Sequence, residues 1–195
     1  MVNPGNVLMK STSLLTALAA TAALVVGGCD SSPSEDDVNE MFSQLMQRPD
    51  LETAQAEYLA LLERIRTRLV DDLGIKPFIP AEESVRGAAC PGELSEVDEA
   101  EVRFYPSAYS RGTISDADWP RAVEIVTSIT SKHGFGEPKT VVDRSGDHEV
   151  AIYDTYGAEL IFGTAKNTIV GLTTGCHLTR EAHQRGAPKP EEPLY

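Results

Sequence analysis

The chain has 195 residues, enough for one ordinary domain, with 41% hydrophobic, 24% charged and 6% aromatic residues. That balance excludes a polytopic membrane protein and a wholly disordered chain. The formal net charge of −13 argues against nucleic acid as a main partner, because phosphate binding needs a basic face.

Ser11 to Gly28, STSLLTALAATAALVVGG, carries no charge and follows Lys10. A positive flank before an apolar run is the layout of an export signal. As a helix the run would reach ~27 Å at 1.5 Å per residue, and its strongly apolar part, Leu14 to Val26, is short for a spanning helix. Met9-Lys10 offers a more usual start to such a signal than Met1 does. Val26-Gly27-Gly28-Cys29 resembles the lipobox of bacterial lipoproteins, with an aliphatic residue three before a Cys and small residues between. It predicts cleavage between Gly28 and Cys29, leaving Cys29 with an S-diacylglycerol and an N-palmitoyl chain. A plain secretory signal with an incidental Cys is the alternative. Buried acyl chains contribute roughly 0.8 kcal/mol per CH₂, so two or three hold firmly where one holds marginally. The expected address is the extracytoplasmic side of a cell membrane, held by the lipid anchor.

Asp30 to Asp37 is polar, short of apolar residues and broken by Pro33, so residues 29–37 read as a flexible tether. A single extracytoplasmic domain is expected over 38–178. Val38, Met41, Phe42 and Leu45 predict a first helix, interrupted at Arg48-Pro49-Asp50. Asp50 is a capping residue for a long second helix, with Leu51, Ala54, Tyr58, Leu61, Leu62, Ile65, Leu69 and Leu73 on one face and Gly74 ending it. Lys76 to Gly92 is a proline-rich connector. Glu101 to Pro106 predicts a strand with Val102 and Phe104 on one face. Ser115 with Asp118 and Pro120 then predicts a helix start, followed by an apolar stripe of Ala122, Val123, Val126 and Ile129. Strands are predicted over 139–143, 149–155, 158–164 and 168–174, with tight turns between them. Such short links permit only antiparallel pairing. The fold class is therefore α+β: an N-terminal helical segment with a long amphipathic helix, then an antiparallel sheet with one crossing helix, ordered β-α-β-β-β-β. Residues 179–195, polar and holding Pro188, Pro190 and Pro193, read as a disordered tail.

Three cysteines are present. With Cys29 lipidated, Cys90 and Cys176 remain, and an even pair in an oxidising compartment reads as one disulfide. Two buried free thiols are the alternative. A metal site is disfavoured, because no Cys-x-x-Cys or His-x-x-x-His spacing accompanies them.

The lipobox together with Gln44 to Pro80, QLMQRPDLETAQAEYLALLERIRTRLVDDLGIKPFIP, resembles the LppA-type lipoprotein family of mycobacteria. The paired cysteines and the hairpin series between them fit the same family. The resemblance implies a membrane-anchored envelope lipoprotein. It carries over the lipid site at Cys29 and the Cys90–Cys176 bridge, and it supplies no catalytic residues.

Catalytic and cofactor signatures are sparse. There is no Gly-x-Ser-x-Gly elbow and no Gly-rich phosphate loop before a helix, so no cofactor is expected. His133, His148, His177 and His183 are not paired by spacing with a Ser and an acid. The acids at Glu93, Glu96, Asp98, Glu99 and Glu101, and those in Asp143 to Glu149, do not match a calcium loop. Tyr105, Tyr109, Tyr153 and Tyr156 form a candidate binding patch if their strand faces coincide; packing beneath the long helix is the alternative. The expectation is a non-enzymatic binding or scaffolding module for an envelope protein or lipid partner. The competing expectations are a carrier of a hydrophobic ligand, between sheet and long helix, and a small envelope enzyme.

Overall fold

The computed structural model describes residues 33–190. Gly28 and Cys29, and with them the signal and cleavage site, lie outside the described residues.

Helix α1 (Glu35–Leu45) begins three residues before its first apolar position, inside the stretch expected to be tether. The cause is a capping box. Asp37 N–H donates to Ser34 Oγ at 3.2 Å, and Asp37 Oδ2 accepts from the Ser34 amide at 2.9 Å. The acids Glu35, Asp36 and Asp37 also suit a helix N-terminus. Helix α2 (Leu51–Leu73) matches its sequence signals at both ends. The Asp50 carboxylate accepts from Thr53 N–H at 2.9 Å, and Gly74 leaves the helix at φ 67°.

Strand β1 (Arg86–Ala89) lies in the segment expected to be a plain connector. A short 3₁₀ turn follows it, then strand β2 (Ala100–Arg111), helix α3 (Trp119–Thr130), and strands β3 (Lys139–Arg144), β4 (Asp147–Tyr153), β5 (Glu159–Thr164), β6 (Asn167–Thr173) and β7 (His177–Leu178). All pairings are antiparallel. The order is β1-β2-β6-β5-β4-β3, with β7 also on β2. The sheet thus has seven strands where five were expected, and the α+β class stands. Within the stretch 179–195 expected to be a disordered tail, of which residues 191–195 lie outside the described residues, the chain forms helix α4 (Arg180–Arg185). Thr179 caps it, Ala182 is buried, Arg185 pairs with Glu99, and the Glu52 carboxylate accepts from Arg180 N–H at 2.8 Å.

Strand β2 runs past Pro106, where its end was expected. A bulge between Tyr105 and Ala108 accommodates the proline, which has no amide hydrogen for the ladder. The register then builds three cross-strand rows on one face. Tyr105, Leu172, Leu160 and Ile152 form the first; Ala108, Val170, Phe162 and Val150 the second; Ser110, Thr168, Thr164 and His148 the third. The first two rows meet Leu61, Leu62, Ile65 and Leu69 of α2 and Ala122, Val126 and Ile129 of α3 in one core. Both helices therefore cover the same face. Each fully buried Leu, Ile or Phe there is worth about 1.5–3 kcal/mol. A second cluster, with Phe42, Leu45, Val102, Leu178 and Ala182, surrounds the buried Cys90–Cys176 disulfide, whose Cα atoms are 5.6 Å apart.

The third row is polar and pins the loop before α3. Thr164 Oγ1 accepts from Ile114 N–H at 2.9 Å and lies 3.1 Å from Thr168 Oγ1. His148 sits between Asp143 (2.9 Å) and Asp116 (3.1 Å), and Trp119 stacks on its ring at 5.3 Å. Hydrogen bonds donated to Asp116, and then to Asp143, raise the His148 pKa against partial desolvation. Ser115 and Asp118 do hydrogen-bond as expected, but they close the turn ahead of α3 rather than its first turn.

Candidate functional site

At the opposite end of β4 from His148, the chain leaves the sheet through Asp154 and turns at Gly157 (φ 89°). The turn is tightly held. Asp154 Oδ1 accepts from the amides of Tyr156 and Ala158 at 2.8 and 2.7 Å, and Asp154 Oδ2 accepts from the Tyr58 hydroxyl at 2.5 Å. Burial, then the Asp154 carboxylate, pushes the Tyr58 phenol well above its ordinary range, so it stays a donor to Asp154.

Beside it the segment 174–177 approaches closely, because Gly175 packs directly on the Tyr156 carbonyl. Arg48, in the link between α1 and α2, ties the two segments together. Its Nη1 donates to the carbonyls of Cys176 (2.8 Å) and Tyr156 (3.2 Å), and its guanidinium lies 5.7 Å from the Tyr156 ring centroid. The next residue, Pro49, holds His177: Nδ1 of the imidazole donates to the Pro49 carbonyl at 2.9 Å. His177 is fully buried, and burial pulls its pKa down. The ring is therefore neutral, with the proton on Nδ1 and a lone pair on Nε2. Nε2 is buried and has no partner. The rings of Tyr58 and Tyr156 meet His177 edge-on at 6.4 and 5.8 Å.

Pro49, Tyr58, Asp154, Tyr156 and His177 line a cleft of about 400 Å³ whose other walls include Ala54, Glu57 and Leu61 of α2, and Lys132 and His133 beyond α3. The lining offers aromatic faces, hydrogen-bond acceptors, two carboxylates and one ammonium. It holds no Ser or Thr hydroxyl and no free thiol. Among the described residues, no group of three or more His, Cys, Asp or Glu side chains is placed to hold a metal ion. No helix of the described residues is long and apolar enough to cross a membrane.

The four tyrosines of the expected patch do not share a surface. Tyr105 joins the first row beneath the helices, where burial pushes its hydroxyl up to about 12. Tyr109 and Tyr153 alternate with helix-facing residues and lie on the other face of the sheet, on β2 and β4. Tyr156 belongs to the cleft. The physical reason is parity: Tyr105 and Phe104 sit on the inverse faces from Tyr153 and Ile152, so Phe104 is exposed and Ile152 is core. Sequence reading passed over Tyr58 as core and left His177 without a role. Only the Asp-x-Tyr-Gly turn at 154–157 could have pointed to the site.

A family profile described as "LppA: Lipoprotein confined to pathogenic Mycobacterium" matches residues 27–180. The chain belongs to the LppA family. Among solved structures, lipoprotein LppA from Mycobacterium tuberculosis is similar at TM-score 0.60 and 17% identity, over 80% of this chain and 94% of that one. A DUF4853 family protein from Actinomyces odontolyticus is similar at TM-score 0.52 and 12% identity, over 69% of this chain and 72% of that one. At these identities the likeness is one of fold. No curated protein matches the chain. LppA family membership makes this a lipoprotein-family chain and implies association with the envelope or membrane.

Proposed function

We propose that this LppA family protein is a non-enzymatic binding module, held on the extracytoplasmic side of the cell membrane by lipid on Cys29 and disulfide-braced for that compartment. Its partner, an envelope component, docks in the cleft of Tyr58, Asp154, Tyr156 and His177. The observation that carries the reading is the cleft's composition: rigidly positioned aromatic and acceptor groups around a buried, unpartnered His177 Nε2, with no Ser, Thr or Cys side chain among the lining residues. The lipobox at Val26 to Cys29 and the family description support the address. A hydrophobic carrier fits less well, because Leu61, Leu62, Ile65 and Leu69 close directly on Leu160, Phe162 and Val170.

Two measurements test this. Replacing Cys29 by Ala is expected to move the protein out of the membrane fraction; retention with lipid labelling intact overturns the anchor. A photo-crosslinking residue at Lys132, on the cleft rim, is expected to capture an envelope component in intact cells, while the same residue at Val141 on β3 captures none. Equal products at both positions overturn the docking site.

A further inference from the structure

Resting on that binding reading, we propose that the cleft takes a neutral saccharide, whose hydroxyl donates to Nε2 of His177 and whose ring lies on Tyr156. The geometry fixes the polarity of the anchor. A carbonyl oxygen only accepts, so the Pro49 contact places the imidazole proton on Nδ1. Nε2 is then an acceptor shut away from water with nothing to accept from, a standing cost that a ligand donor removes. Burial of the ring, which disfavours the imidazolium, acts in the same direction.

The surroundings select among donors. Asp154 is already engaged by three hydrogen bonds, and Glu57 and Lys132 are the lining's other full charges, one of each sign, so neither sign predominates. A ligand with several neutral donors suits the site best. The phenol of Tyr58 gives its proton to Asp154, which leaves its oxygen as a further acceptor, and the Glu57 carboxylate is another. A pyranose or furanose also presents an apolar C–H face, which suits the Tyr156 ring. The volume of about 400 Å³ falls within the range of small-molecule sites.

Access to Nε2 requires one movement. The rings of Tyr58 and Tyr156 pack T-shaped against His177. Tyr58 is locked in the core, whereas Tyr156 is 37% exposed at a turn. Arg48 and Gly175 fix the Tyr156 backbone, while its partly exposed ring is held by packing on His177 and by the Arg48 guanidinium 5.7 Å from its centroid. A rotamer change of Tyr156 alone thus opens the acceptor and turns the ring into a platform.

The experiment uses the full-length lipidated protein in detergent, with 15N-labelled histidine, titrated with glucose, galactose, mannose, arabinose and N-acetylglucosamine. Without sugar, the His177 spectrum is expected to report a neutral ring protonated on Nδ1. At least one sugar is expected to shift the Nε2 resonance with saturation. Tyr156→Ala weakens that binding by about tenfold, while Tyr156→Phe, which keeps the ring, binds as the parent does. Three results overturn the proposal: a proton on Nε2 in the free protein, no Nε2 shift with any sugar, or an unchanged midpoint in Tyr156→Ala. A photo-crosslinker at Lys132, on the cleft rim, in intact cells separates the two readings. Products on protein alone overturn the saccharide and leave the binding module standing; no product of any kind overturns both.

Discussion

Gly175→Ala tests whether the cleft is a built structure. A Cβ there would lie 2.7 Å from the Tyr156 carbonyl carbon and closer still to its oxygen, where ordinary contacts begin at 3.4 Å. The obstacle is backbone, so it cannot rotate away, and the two segments must part by at least about 0.7 Å. Gly175 is not among the glycines at positive φ, so the penalty comes from the contact and not from the conformation of residue 175 itself. Overpacking of this kind costs about 1–3 kcal/mol. Parting the segments also stretches the Arg48 clamp, whose hydrogen bonds from a charged donor are worth about 1.5–3 kcal/mol. The smaller unfolded-state entropy of Ala returns about 0.4–1 kcal/mol. With Arg48 partly exposed, the clamp counts at its lower end, and the net loss is about 2–4 kcal/mol. Urea denaturation measures it directly, and the matching fall in Tm is roughly 5–15 °C for a domain of this size. A double-mutant cycle with Arg48→Ala supplies the mechanism: the substitution is expected to cost less where the clamp is already gone. A loss below about 0.5 kcal/mol, or full additivity with Arg48→Ala, refutes the reasoning.

Replacing Cys90 and Cys176 by Ser is expected to lower stability by about 4–5 kcal/mol at most, from the chain entropy of closing a separation of 86 residues, and reductant is expected to do the same to the parent; denaturation curves with and without dithiothreitol check both. Stability is also expected to fall as pH rises from the ordinary histidine value of about 6.5 through the raised pKa of folded His148, while His177, whose pKa burial lowers, acts in the opposite sense and only below about 6.5. The ion pairs with Asp116 and Asp143 are fully present below that ordinary value and are lost as pH rises through the raised one. Asp116, whose pKa is lowered by the Gly146 amide, Ser145 and His148, contributes in the opposite sense and only at acidic pH. Emission of Trp119, the sole tryptophan, stacked on His148, follows the titration, and His148→Gln is expected to flatten both profiles. A urea midpoint that climbs with pH over this window contradicts the assignment.

Elements with local signals were legible. Helix α2 follows from apolar spacing between Asp50 and Gly74, and β3 to β6 follow from β-rich runs cut by turns. What escaped was decided by longer-range geometry or by polar caps. Ser34 with Asp37 starts α1 without any apolar residue. Pro106 looks like the end of a strand until a bulge absorbs it. Helix α4 is too polar to be recognised as buried, yet Ala182 anchors it, and His183 Nε2 donates to the Arg48 carbonyl at 3.0 Å. The tyrosine patch failed on strand parity, which depends on the register across the sheet. The cleft was invisible for a simpler reason: Tyr58 and Asp154 are 96 positions apart, and no local spacing joins them to His177.

The link between the first two helices explains how so dispersed a site is made rigid. Arg48 grips the carbonyls of Tyr156 and Cys176 with its side chain and accepts His183 with its carbonyl. Pro49 sets the His177 tautomer, and Asp50 caps α2, which carries Tyr58. Three consecutive residues thus locate the cleft floor, one wall and the turn that bears Tyr156. The disulfide enters the same arrangement through Cys176, whose carbonyl Arg48 holds and whose neighbour is His177. Reducing the bridge frees residue 176 on one side of the Arg48 clamp, so the His177 resonances respond to dithiothreitol at denaturant concentrations where the sheet is still intact. The bridge lies next to the residue that bears the ring, so on its reduction the cleft is expected to lose order before the sheet does.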